Sequence, residues 1–172
     1  NDYIQINPSA DVISLAFDKE GKKCSAKGCF IDINGLDIFK YLKLLSSSNP
    51  TAIEWLVSDI VYYGKQNRVF KKFKFNNIPL YYCYKSLCRN NYIKYIKSGK
   101  DVTYKKYLYV LRGLINAKWV VYKKTIPPII FQKTFEKMKK EIPHFIIEKL
   151  KEMVKLKSQG KEKASIKNIV EI

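Results

Sequence analysis

From residue 78 onward the chain repeats one pattern, apolar residues at three- and four-residue intervals, interrupted by residues that end helices. The periodicity predicts helices over about 79–97, 102–121, 128–140 and 143–158, with a weak tail helix near 164–170. Gly99, Pro127–Pro128, Pro143 and Gly160 mark the breaks, because glycine and proline are the residues a helix interior tolerates least.

The front of the chain follows a different rule. Residues 2–6 and 11–17 gather Val, Ile and Phe into short runs, which read as strands separated by the turn-like Asn7–Pro8–Ser9. A polar loop, Asp18–Gly28, leads to a further strand at Cys29–Ile33. Asn34–Gly35 is expected to end that strand and open a helix through Leu36, Phe39, Leu42 and Leu45, with Asn34 as cap and Asp37 as capping-box acid. Asn49–Pro50 starts another short helix, its buried side supplied by Ile53, Trp55, Leu56 and Val57. The fold class is α+β. Residues 1–64 form an α/β front, 65–77 a basic connection and 78–172 a mainly helical domain. With 47% apolar residues the chain can bury a real core. No apolar run reaches the roughly 18 residues of a membrane span, so a soluble, cytoplasmic protein without a membrane partner is expected. Asn1 opens directly into a strand-like segment, which suggests a piece of a longer protein.

Charge divides the same way. Residues 1–64 hold 6 Lys/Arg against 8 Asp/Glu, and residues 65–172 hold 27 against 7, so all of the +18 net charge lies in the helical part. Such a field concentrates polyanions. A Lys-, Asn- and Ile-rich coding bias accounts for the same lysines equally well.

Two stripes carry the candidate chemistry. On the helix at 102–121, Lys105, Tyr109, Arg112 and Asn116 fall at helical spacing. Arg112 sits in an otherwise apolar run, so its guanidinium needs a carboxylate or a phosphate. On the preceding helix Tyr81, Lys85, Arg89 and Tyr92 interleave rings and cations, as a surface following a nucleic-acid strand would, although taken alone this stripe reads first as helix packing. The lysines of 133–140 and 149–163 read as a solvated face. Cys24, Cys29, Cys83 and Cys88 form two C-x4-C pairs. Residues five apart on a helix diverge by about 140°, so free thiols are expected in place of a zinc site. His144, the lone histidine, reads as a surface or capping residue. Asp32 on its strand is one acid, where metal-assisted phosphoryl chemistry needs two or three.

Taken in order, Asp32-Ile33-Asn34-Gly35-Leu36-Asp37, Ser48-Asn49-Pro50, Glu54-Trp55-Leu56, Ser58-Asp59-Ile60-Val61-Tyr62, Asn91-Tyr92-Ile93-Lys94-Tyr95-Ile96, Lys105-Lys106-Tyr107-Leu108-Tyr109-Val110-Leu111-Arg112, Ala117-Lys118-Trp119 and Pro127-Pro128 form ordered blocks. They resemble the predicted nucleotidyltransferases of the DNA polymerase beta superfamily, the group that includes RNA-repair-associated members, over roughly residues 11–135. Leu36 stands where the family usually has Trp, and Gly113 where it has Pro. The resemblance implies a small, incomplete nucleotidyltransferase-like mixed sheet ahead of the helical domain. It implies transfer of a nucleoside monophosphate from a nucleoside triphosphate to an acceptor hydroxyl, with RNA or another nucleic acid as partner. Asp32 would be the third catalytic carboxylate and a Mg²⁺ ligand, and Lys105, Lys106, Tyr109 and Arg112 would meet nucleotide phosphates. The family's Gly-Ser and Asp-x-Asp motifs are missing from this sequence, so the chain as given is expected to be catalytically incomplete. The alternative is a non-catalytic module that binds nucleic acid through its basic helices.

Overall fold

The computed structural model describes residues 12–24, 29–62, 73–97, 99 and 102–160. The expected strand at 2–6, the tail helix at 164–170 and most of the basic connection lie outside them. The chain divides into two compact units, Asn1–Ser46 and Ser47–Ile172.

In the first unit β1 (Val12–Phe17) pairs antiparallel with β2 (Ile31–Leu36). The register sets Ser14 opposite Asn34 and Ala16 opposite Asp32, giving one polar face. Ile13, Leu15, Phe17, Ile31 and Ile33 alternate onto the other. The turn after β1 is organised by Asp18, whose carboxylate accepts from the backbone N–H of Glu20 and Lys22. Two expectations need correction here. Asn34–Gly35 lies inside β2 and does not end it, because pairing with Ser14 and Ile13 overrides the local turn preference. The helix α1 (Ile38–Ser46) therefore starts later, and Asp37 is itself the cap, accepting from the N–H of Phe39 and Lys40. Cys24 and Cys29, expected as free thiols, are joined in a disulfide, whereas Cys83 and Cys88 are free.

Among the described residues, the regular elements of the second unit are all helices. Its first helix, α2 (Pro50–Val57), begins as the sequence suggests, with Asn49 Oδ1 accepting from the N–H of Thr51 and Ala52. Ser48, fully buried, accepts from the N–H of Asn76 and ties this start to the head of α3 (Asn77–Asn91). A single π-helical turn, Tyr92–Ile96, follows α3. The central element is α4 (Tyr104–Lys123), capped by Thr103 and closed by Lys124 in a left-handed conformation (φ 54°). Leu111, Ile115 and Trp119 on α4 pack with Phe135 and Met138 of α5 (Phe131–Met138) and with Leu150 and Met153 of α6 (His144–Ser158). Among the described residues no helix is long and apolar enough to cross a membrane.

The helices α3 and α4 run antiparallel and cross where Gly113 meets Cys88. A Cβ on Gly113 would lie 3.0 Å from the Cys88 backbone nitrogen and 3.1 Å from its Cα. Because backbone cannot swing aside, the helices would have to part. Replacing Gly113 with Ala is therefore expected to lower stability by about 1–2 kcal/mol in urea denaturation, the overpacking outweighing alanine's better helix propensity. A stabilised Gly113→Ala protein would mean the crossing is looser than described.

Candidate functional site

Stripe residues of α3 recur every three or four positions, so one side of the helix carries all of them. The structure places Tyr81, Lys85, Arg89 and Tyr92 along a groove of about 530 Å³ between α3 and α4. Its floor is apolar, with Val110, Leu114, Ala117 and Val121 contributed by α4. Leu114 and Val121 are each 45% exposed, so this apolar lining is open to solvent. Lys118 and Tyr122 of α4 also line it.

Cations and rings meet repeatedly along the groove. The Lys85 ammonium lies 5.9 Å from the Tyr81 ring centre and 5.8 Å from that of Tyr82. Lys118 lies over the Tyr122 ring and donates to the backbone carbonyl of Glu141. Arg89 is exposed and forms no ion pair with another described residue. Cys88 also lines the groove, and burial pushes its thiol pKa up, so the thiol is neutral there. The π-helical turn carries Tyr92 and Ile96 into the same groove, and such turns recur at functional sites.

The second stripe goes elsewhere. At 100° per residue, Lys105, Tyr109, Arg112 and Asn116 lie on the side of α4 opposite Leu114 and Val121. Arg112 is met by a carboxylate. Its Nη2 donates to both oxygens of Glu54 on α2, at 3.1 and 3.0 Å, and the Tyr84 hydroxyl donates to the same carboxylate at 3.4 Å. Tyr84 is 2% exposed, and burial first, then the Glu54 charge, raises its phenol pKa. Lys106 stacks over the Tyr95 ring of the π-helical turn, and Tyr109 is exposed.

Asp32 lies exposed on the polar face of the β1–β2 hairpin, where it accepts from the Asn34 side chain at 3.2 Å. Asn34 in turn accepts from Ser14 at 2.7 Å. Asp37 is committed to its cap. Among the described residues no three His, Cys, Asp or Glu side chains gather as metal ligands, so this set does not by itself fit a Mg²⁺ site.

Sequence comparison adds an independent observation. The chain matches RlaP, the RNA repair pathway DNA polymerase beta family, over residues 2–172. It belongs to that family. This RlaP-family chain is also 39% identical over 106 residues to the uncharacterized protein YcgL of Bacillus subtilis (strain 168). That match takes in 59% of the chain and only 40% of YcgL. No solved structure matches it.

Sequence reasoning found the α3 wall of the groove and missed its α4 wall. The signal was present. Leu114 and Val121 are apolar residues seven apart on a side of α4 that Ile115 and Trp119 do not cover. A helix with two apolar sides has two surfaces to fill.

Proposed function

We propose that this protein works in nucleotidyl transfer to RNA, with the α3–α4 groove of its helical unit holding the nucleic-acid partner. The reaction is transfer of a nucleoside monophosphate from a nucleoside triphosphate to an acceptor hydroxyl. The observation that carries the reading is the meeting of Tyr81, Lys85, Arg89 and Tyr92 in one apolar-floored, basic-rimmed groove, in a chain matched over nearly its whole length by an RNA-repair family. Cations in such a groove neutralise phosphates, and rings offer faces to bases. Lys105 and Lys106, at the head of α4 with Tyr109 nearby, are the proposed contacts for the triphosphate. Mg²⁺ belongs to the proposal only with carboxylates additional to Asp32, and no reaction step is assigned to it.

The test is binding of fluorescein-labelled single-stranded RNA followed by anisotropy across a KCl series. With Lys85, Arg89 and Lys118 each meeting a phosphate, log K against log salt should fall with a slope of about −2, from roughly −0.7 per contact. A flat salt dependence would sink the reading.

A second reading is favoured by the lack of any group of three metal-ligating side chains among the described residues, namely a module that binds RNA without chemistry. It predicts the same salt slope and no incorporation of labelled nucleotide into RNA by the full-length protein. Under the transferase reading, Asp32→Asn in that protein abolishes incorporation and leaves RNA affinity intact.

A further inference from the structure

Resting on the proposal that the groove holds nucleic acid, we infer that it takes single-stranded nucleic acid with unpaired bases seated on its apolar floor, and does not bind duplex there. Three features favour this occupant. The floor of Val110, Leu114, Ala117 and Val121 offers nothing to a phosphate backbone, and a duplex exposes little else to a concave surface. Tyr81, Tyr92 and Tyr122 stand along the groove as rings on which bases can stack. The cations Lys85 and Arg89 are exposed to solvent beside the apolar lining, matching a strand whose bases point inward and whose phosphates point out.

Length separates a strand from a lone nucleotide. Tyr81 and Tyr92 are three helical turns apart, about 17 Å at roughly 1.5 Å per residue. At about 3.4 Å per stacked nucleotide that distance suits some five nucleotides. A mononucleotide would leave most of the exposed floor, including either Leu114 or Val121, uncovered.

Cys88 gives a direct test, since it is free and lines the groove. In a Cys83→Ser protein it is the one free thiol among the described residues, and its alkylation by N-ethylmaleimide reports groove occupancy. Saturation with a single-stranded hexa-adenylate RNA is expected to slow that alkylation about tenfold. A blunt RNA duplex and inorganic polyphosphate, bound through charge alone, should leave the rate unchanged. Tyr92→Ala should weaken hexamer binding by about 5- to 140-fold, the worth of one base–ring stack, while Tyr92→Phe retains it.

Hexamer that binds without protecting Cys88 overturns the inference and leaves the RNA-binding reading standing. Equal protection by duplex or polyphosphate also overturns it. Protection by AMP at the concentration that suffices for the hexamer replaces the strand with a mononucleotide. Absence of any salt-dependent RNA binding fails the underlying reading instead.

Discussion

Reversing the two exposed cations of α3 together, as Lys85→Glu with Arg89→Glu, is expected to weaken single-stranded RNA binding by about a hundredfold or more near physiological salt. The two changes remove two phosphate contacts and place two repelling charges at the groove rim. The slope of log K against log salt should become shallower by about 1.4, from roughly 0.7 for each lost contact. Stability should hardly change. Both side chains are exposed, and the interaction given up inside the protein is the position of Lys85 over Tyr81 and Tyr82, about 0.5–1 kcal/mol for an exposed cation and ring. Anisotropy with circular dichroism on the same sample separates the two effects. Unchanged affinity would move the RNA surface away from α3, and the lysines of 133–140 and 149–157 would become the next candidates.

How far these features could be read in the sequence depends on the range of the interactions that set them. The helices of the second unit were legible because periodicity, the Asn49–Pro50 start and the Pro127–Pro128 break are local signals. The Tyr81–Tyr92 stripe was legible for the same reason, being a property of one helix. Asn34–Gly35 misled because a dipeptide's turn preference is small beside two paired strands, and its partners Ser14 and Ile13 lie some twenty residues away. The disulfide between Cys24 and Cys29 was equally opaque, since spacing alone does not say whether a loop brings two thiols together. The α4 wall of the groove was visible as composition but not as a place. Helical spacing sets Leu114 and Val121 apart from Ile115 and Trp119, but nothing local says which side meets the core and which a groove.

Arg112 is where this difference in range changes the functional argument, and breaking its partnership should be the largest single effect on stability outside the core. The sequence requires a carboxylate or a phosphate for its guanidinium; the structure supplies Glu54, 58 residues away. The side chains are 39% and 24% exposed, so solvent screens the pair and the full cost of a buried pair does not apply. Glu54→Ala is expected to destabilise the protein by about 1–3 kcal/mol, because it strands both Arg112 and the buried Tyr84 hydroxyl. Arg112→Met should cost a similar amount. The double variant should lose clearly less than the sum of the two, with a coupling of about 1 kcal/mol or more.

The same network carries a pH signature. The folded-state pKa of Tyr84 is raised above its ordinary value near 10, so its contribution is fully present below that pH. It is lost as rising pH ionises the phenol in the unfolded chain first, and Tyr84→Phe should remove that alkaline decline. RNA affinity then decides between the two roles of Arg112. If the guanidinium serves Glu54, Arg112→Met measured well below its unfolding midpoint keeps RNA affinity within about twofold, since only stability was taken away. A drop of tenfold or more in the folded protein would show that the guanidinium also reaches a phosphate, and the ion pair with Glu54 would then be the resting state of a nucleotide contact.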